Sequence, residues 1–473
     1  MKKRTLIQVI KVLTGPTLFV LAHMLLPDNS FSIEQKRAIG TLFWMVAWWL
    51  WSPCDYPIIG FVPVALNALF PMIPMSTVIA QFASTSIILV LCGMIITGSW
   101  SSIGLDKRIA TLFLSAVGTS ARSQAVFWFL LSAFLSAVLP NLVVAATLIP
   151  LAYSMLKYVG QDDIGNSKAA SMIMMVIPWG TTVGGLATPL GSSSNLVIIG
   201  YIESITGTEY MYVDWVIRFL PIMAALLITN VLYIILICPK RLQLPGSREY
   251  LIGVRKSLGK MSREEVICLT IFVIAAVLAF TRDIYATLLP GLMPAYAFAA
   301  CAVILFIIPG RDGETMVKWK TVSPEVNWGL IYMFGGALAL GELLTGTGAD
   351  VAVGNFLSQL GSASDFVTIL IILTFTIVIS DLTSNGATAS MSMPIILTIA
   401  AALGMNPIPL IYVGSIGVSL SYTLPTSIRA ISVGYGLKPS FMIKRGLVLT
   451  LIVIPTLATV CWILMNFWPA FQS

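Results

Sequence analysis

Two stretches of this chain, 244 residues apart, read as copies of one device. The first runs from Pro140 and Asn141 to Pro150. The second runs from Ser384 and Asn385 to Pro394. Asn141 pairs with Asn385 and Pro150 with Pro394 at that same offset of 244. Each stretch interrupts a long apolar run with an Asn and small residues. A polar break inside a membrane helix, made twice, points to a transport site between internal repeats.

The membrane reading follows from composition. The hydrophobic fraction is 58% and the charged fraction only 10%, and many apolar runs reach the roughly 20 residues that span a bilayer. The net charge of +7 does not imply nucleic acid, because the basic residues sit in short loops between apolar runs and no RNA-binding pattern carries them. The six cysteines are scattered without metal-ligand spacing, so neither a disulfide framework nor a metal centre is implied. The basic N-terminus flanks a run from Leu6 that lacks a small-residue cleavage site, which predicts a retained helix. With one histidine (His23) and no nucleophile beside a base, the chain offers no enzyme site, and no cofactor is expected.

The apolar runs predict spans near 6–26, 38–53, 57–72, 86–104, 123–156, 213–237, 265–282, 286–308, 328–346, 364–403 and 446–466. Two Gly/Ser/Thr/Pro-rich segments, near 171–201 and 409–436, read as re-entrant hairpins. The expected fold is an all-α membrane protein of about eleven transmembrane helices and two re-entrant hairpins in inverted repeats. With the N-terminus inside and the C-terminus outside, nineteen Lys and Arg fall inside and six outside, counting Lys157 and Lys168 among the six. The inside set includes Lys240, Arg241 and Arg311. The expected organisation is an N-terminal helix over 1–37, a first repeat over 38–237, a cytoplasmic linker and one span over 238–285, and a second repeat over 286–473. Gly104-Leu105-Asp106 answers Gly348-Ala349-Asp350 at the same offset, and both read as interfacial arms or as surface loops. Lys11 can snorkel to the inner surface, and the Trp44, Trp48, Trp49 and Trp51 cluster reads as an interfacial belt and helix contact.

Asn141 and Asn385 supply side-chain donors and acceptors. Ser193, Ser194, Thr426 and Ser427 add hydroxyls, and helix ends add backbone groups. Together they would form a neutral, donor-rich cup for a carboxylate. Arg429 stands where the first tip has Asn195. A charge at the bilayer centre costs at least about 2.5–3.5 kcal/mol, so it faces a cavity or a partner. Two readings stay open and compatible: Arg429 replaces a bound cation, or it pairs with Asp381 as its counter-ion.

At these residues the chain resembles the divalent anion/sodium symporters, the INDY-type family that includes solute carrier family thirteen. That family carries two Ser-Asn-Thr motifs, each followed by small residues and a Pro. Ser384-Asn385-Gly386 keeps two positions and Pro140-Asn141-Leu142 keeps one. Asp381 matches an acidic residue before the second motif. Gly184 to Leu196 and Leu424 to Ile431 resemble the two tip segments. The resemblance implies a homodimeric elevator in the cell membrane, with a transport domain sliding past a scaffold. Carried over, the substrate residues are Asn141, Asn385, Gly386, Pro425, Thr426 and Ser427, to which the reading of the polar groups themselves adds Ser193, Ser194, Asn195 and Arg429. A first sodium site maps to Ser136, Pro140, Asn141, Gly191 and Asn195, and a second to Thr383, Ser384, Asn385 and the tip near Arg429. Pro140, Leu142 and Gly386 thin out the oxygens, and Arg429 adds a fixed charge. The expected activity is therefore sodium-independent exchange of C4/C5 dicarboxylates, in which an unneutralised Arg429 arrests the empty carrier. The alternatives are a sodium-coupled symporter using the first ion site, and a channel or pump for oxyanions.

Overall fold

The computed structural model describes residues 2–114, 118–238, 242–310, 314–349, 351–353 and 364–472. Lys240, Arg241, Arg311 and Asp350 lie outside the described residues. The described residues form helices joined by short turns, with two isolated β-bridges, Ser120 to Gln243 and Pro309 to Thr315. The chain opens with α1 (Lys2–Leu25), α2 (Ile33–Trp51), α3 (Tyr56–Ile59), α4 (Val62–Leu69), α5 (Met75–Ala80), α6 (Thr85–Ile103) and α7 (Leu105–Leu114). It continues through α8 (Ala121–Ser136), α9 (Asn141–Tyr158), α10 (Lys168–Gly185), α11 (Ser193–Thr206), α12 (Tyr212–Ile237) and α13 (Ser247–Ser257). Then come α14 (Arg263–Phe280), α15 (Arg282–Tyr285), α16 (Pro294–Ile307), α17 (Trp319–Val322) and α18 (Trp328–Gly346). The last five are α19 (Asp365–Leu382), α20 (Asn385–Leu403), α21 (Pro407–Ser419), α22 (Ile428–Gly434) and α23 (Pro439–Phe467). Eight helices among the described residues are long and apolar enough to cross a bilayer.

The 244-residue repeat is visible in the packing. In α10, Gly180 lies against Phe129 O and Ser132 Oγ of α8. In α21, Gly417 lies against Leu373 O and Thr376 Oγ1 of α19. The two partner pairs are 244 apart. In each half a glycine lets one helix back approach another so closely that a Cβ has no room.

The ends of these helices define two faces of the bundle. At the start of α8, Ala121 N donates to Leu242 O (2.9 Å) and Arg122 Nη2 to Cys238 O (3.0 Å). At the end of α9, the Tyr158 ring lies 5.1 Å from that of Tyr250. Both ends of the α8–α9 pair thus reach the same neighbours, Cys238, Leu242 and Tyr250, and the pair enters and leaves by one face. The α10–α11 pair departs from that face and ends at the other, where Glu209 pairs with Arg282 (2.8 Å) and Arg218 Nε donates to Ala470 O (2.6 Å). In the second half α19 runs parallel to α21, and Asn406, just past α20, donates to Gln472 O (2.6 Å) on this far face. The α19–α20 pair therefore begins and ends on the far face, and α21–α22 returns to the near face, where Lys438 bonds Asn166.

This exchanges two roles expected from the sequence. The runs 123–156 and 364–403 each turn back at a tip, as α8–α9 and α19–α20, whereas 171–201 and 409–436 run on through a break from one face of the bundle to the other. The physical reason is that hydropathy reports residence in an apolar medium and not direction. A run of 34 residues fits one long span or two short arms equally well. Burial agrees with the new assignment: in α10 every residue from Ala169 to Gly185 is buried, as is every residue of α21 from Ile408 to Ser419. Helices apolar all round and enclosed all round belong at the centre of a bundle.

The arm after Gly104 is a helix, not a loop. Gly104 adopts φ 77° at the end of α6, and α7 begins at Leu105. Arg108 anchors α7 through Glu265 (2.8 Å) and the carbonyls of Leu258 and Gly259 (2.8 Å each). Asp106 Oδ2 accepts from Thr147 Oγ1 (2.9 Å), which ties the arm to the first hairpin. Trp44 and Trp48 pack over Gly15, and Trp48 Nε1 donates to Val12 O (3.1 Å), a contact between α1 and α2.

Candidate functional site

Four chain breaks converge where the halves interlock: α11 packs on α20, and α22 packs on α9. Each break has a local cause. Pro140, without an N–H, stands at the N-cap of α9. At the second hairpin tip Ser384 caps α20, its hydroxyl accepting from Ala387 N (3.3 Å). Ser192 caps α11 through Ser194 N (3.4 Å). Ser427 opens α22 at φ 49°, a conformation costing about 1–3 kcal/mol in a residue other than Gly and concentrated at functional sites.

In the first half the tips form a knot of carbonyls held by amides. Asn195 Nδ2 donates to Gly185 O (2.7 Å) and Thr188 O (2.8 Å), and Thr188 Oγ1 donates to Ala137 O. The buried Asn141 amide lies 2.6 Å from Ser136 Oγ, 2.9 Å from Gly191 O and 3.2 Å from Thr181 O. Its two orientations have different consequences. With nitrogen toward these oxygens it donates to them and closes the knot. With oxygen toward them it completes a cluster of oxygens of the kind that holds a small hard cation.

The second half repeats the plan with a charge pair. Thr426 Oγ1 donates to Asp381 O (2.6 Å) as Thr188 does to Ala137 O, and Ala137 and Asp381 are 244 apart. Arg429 takes the place of Asn195. Its Nε donates to Leu424 O, and its Nη2 donates to Asp381 O (3.2 Å) and Thr426 Oγ1 (2.8 Å). The guanidinium also lies 3.3 Å from Asp381 Oδ1, with the Arg side chain 1% and the Asp side chain 10% exposed. Thr423 N donates to the same carboxylate oxygen (2.9 Å). Where one half has Ala137 and Asn195, the other has a buried ion pair. Asp381 therefore neutralises Arg429, which removes the expected unbalanced charge of the empty site.

Asn385 meets Ser380 (3.4 Å), 244 residues after the Asn141–Ser136 contact. Among the polar atoms buried without a partner among the described residues are Asn385 Nδ2, a donor, and Asn195 Oδ1, an acceptor. Ser194 bonds Ser192 (2.7 Å), Ser193 lines a neighbouring cavity, and Ser427 is exposed. Pro425 lies in the second break, and Gly386 lies under Leu330 of α18. The sequence reading missed Ser380, Ala137 and Leu330, and held Thr188 only as part of the first tip segment. The 244 offset from Ser136 and Asp381 was the available signal for Ser380 and Ala137. Among the described residues no cluster of His, Cys, Asp or Glu could hold a metal.

A buried polar site between broken helices in an all-helical membrane bundle defines a membrane transporter. The family model described as citrate transporter (CitMHS) matches residues 46–417. The chain belongs to that family and, with it, among the divalent anion/sodium symporters. It is a transporter and not an enzyme, and a multi-pass protein of the cell membrane. The sodium-dependent dicarboxylate transporter SdcS of Staphylococcus saprophyticus is 26% identical over 451 residues, covering 91% of this chain and 85% of that protein. SdcS of Staphylococcus aureus is 25% identical over 449 residues, with the same shares of 91% and 85%. The solved structure of the Alcanivorax borkumensis YdaH transporter matches with a TM-score of 0.56 at 12% identity, over 91% of this chain and 100% of that chain. That last likeness concerns the fold alone.

Proposed function

We propose that the chain exchanges C4/C5 dicarboxylates across the cell membrane without sodium, through the cup formed by the two hairpin tips and two helix breaks. The observation that carries this reading is that both knots are closed by the protein's own nitrogen donors. Asn195 holds the first set of carbonyls, joined by Asn141 when its amide nitrogen faces them, and Arg429 holds the second. A fold that needs no cation to close its tips has no coupled ion to drive uptake, so one dicarboxylate leaves as another enters. Asn385 Nδ2 and Arg429 Nη1, neither with a hydrogen-bond partner among the described residues, are the donors left for a carboxylate.

The relatives named as sodium-dependent and the oxygen face of the Asn141 amide favour a second reading, symport with one sodium at the first tip. Counterflow separates the two. Purified protein in sodium-free liposomes preloaded with succinate is expected to take up labelled succinate at the rate seen with sodium. A rate that collapses without sodium overturns exchange and leaves symport.

We further propose an elevator and a homodimer, with eleven crossings and two inverted hairpins. Exchanging hairpins for broken helices leaves the number of crossings unchanged. It also moves Lys157 and Lys168 to the inner face, so the nineteen-to-six charge count becomes twenty-one to four. Lys157→Cys and Lys168→Cys are expected to react with an impermeant thiol reagent from the same side as a Cys placed at Lys256. Labelling from the opposite side would restore 123–156 as a crossing span.

A further inference from the structure

Gly386 lacks the hydroxyl that the resembling motif carries at this place, and the structure supplies a steric reason. A Cβ added at Gly386 would lie 2.5 Å from Leu330 Cδ1. Leu330 is buried in the first turn of α18, and that turn is pinned from three directions. The Asn327 side chain accepts from Leu330 N (3.1 Å), Trp328 Nε1 donates to Ser323 O (3.1 Å), and Gly329 is pressed on the Pro57 ring. Leu330 also lines a cavity of about 160 Å³ whose other walls include Pro140, Leu142, Leu190 and Ser193 of the first half. One apolar side chain on a fixed helix start therefore lies against the second tip and borders the space beside the first.

We propose that Leu330 is a specificity-determining residue that limits the cargo to unbranched dicarboxylates, an inference that rests on the dicarboxylate reading above. A linear dianion places both carboxylates at the tips and needs nothing from Leu330. A branched tricarboxylate must put its third carboxylate against the Leu330 methyl groups, where it loses water and gains no donor from Leu330 in return. The wedge thus selects by an unfavourable contact with the wrong cargo rather than a better one with the right cargo. Gly386 completes the arrangement, because any side chain there would compete with Leu330 for the same volume.

Counterflow in liposomes with labelled succinate and labelled citrate tests this. Leu330→Ala is expected to raise the citrate-to-succinate rate ratio by about tenfold or more, the scale of a pocket change of several methylenes, with succinate flux retained. Gly386→Thr is expected to suppress both fluxes, and Leu330→Ala in the same chain to restore succinate flux. Leu330→Val, a smaller change, is expected to shift the ratio in the same direction and covers the case in which the Ala variant fails to fold. An unchanged ratio in folded Leu330→Ala or Leu330→Val protein overturns the filter. Absence of succinate flux in the wild type overturns instead the dicarboxylate reading. The filter then stands or falls on whether Leu330→Ala rescues the thermal stability lost in Gly386→Thr.

Discussion

Arg429→Ala is expected to abolish transport and to destabilise the protein by about 3–5 kcal/mol, the cost of leaving one member of a buried ion pair alone. Asp381 would lose the guanidinium 3.3 Å away, and the carbonyls of Leu424 and Asp381 would lose their donor. A loss of folding alone would not distinguish a structural residue from one that meets the cargo. The internal repeat offers a cleaner variant. Asp381→Ala with Arg429→Asn rebuilds the second tip on the plan of the first, with the counterparts of Ala137 and Asn195 in place. No buried charge is then unpaired, and the melting temperature in detergent is expected to return near that of the wild type. Sodium-free exchange is expected to stay at least about a hundredfold lower, since removing a charged hydrogen-bonding partner costs about 1.5–3 kcal/mol or more in binding and misplaces the cargo as well. If the double variant exchanges labelled succinate at the native rate without sodium, Arg429 is a structural clasp and has no role in transport.

The ion pair also changes how the charge is understood. A lone buried guanidinium would make the empty site a cation in the membrane and resist movement. With Asp381 at its side, and that carboxylate further held by Thr423 N, the empty site is neutral. The proposed exchange would then rest on the lack of a coupled ion and not on an electrostatic lock. What the pair contributes is order: it fixes the second break in the geometry that Asn195 fixes in the first, where a neutral amide suffices.

The sequence carried the repeat clearly, because the Asn and Pro positions recur at one offset and the packing of Ser132 and Thr376 follows it. It carried the convergence of the tips less directly. Which segments turn back and which cross was not legible from hydropathy, since 123–156 and 171–201 have similar length and apolarity. The charges held a hint: Lys157 and Lys168 stood among the six exceptions to the inside bias, and both change face when the roles are exchanged. The partners of Arg429 were half legible. Asp381 lay close in sequence to the second motif, but the role of its backbone carbonyl depends on the bend at Thr383 and Ser384. The Leu330–Gly386 contact joins residues 56 apart in different elements, and no local pattern announces it.

Gly184→Ala is expected to be the most damaging substitution of a residue that bears no functional group. In α10, Gly184 lies flat on the backbone of Ala133 in α8, where an added Cβ would come within 2.5 Å of the Ala133 carbonyl carbon and Cα. Backbone cannot rotate aside as a side chain can, so the two helices must separate. Overpacking of this kind costs about 1–3 kcal/mol and occasionally more. The displacement falls at the first tip. Gly185 O, one residue on, accepts from Asn195, and Gly191 O lies 2.9 Å from the Asn141 amide. A shift of about 1 Å in such a site can cost about a hundredfold in rate, so exchange is expected to fall further than stability does. Gly253→Ala is the matching control: it lies within α13 with no atom within 4 Å of an added Cβ, and it is expected to gain about 0.5–1 kcal/mol from the better helix former. Thermal melting in detergent and sodium-free counterflow on both variants test the pair. A Gly184→Ala protein that melts and exchanges like the wild type would mean that α8 and α10 slide freely past one another at the tip, and that the first knot is not what holds the site together.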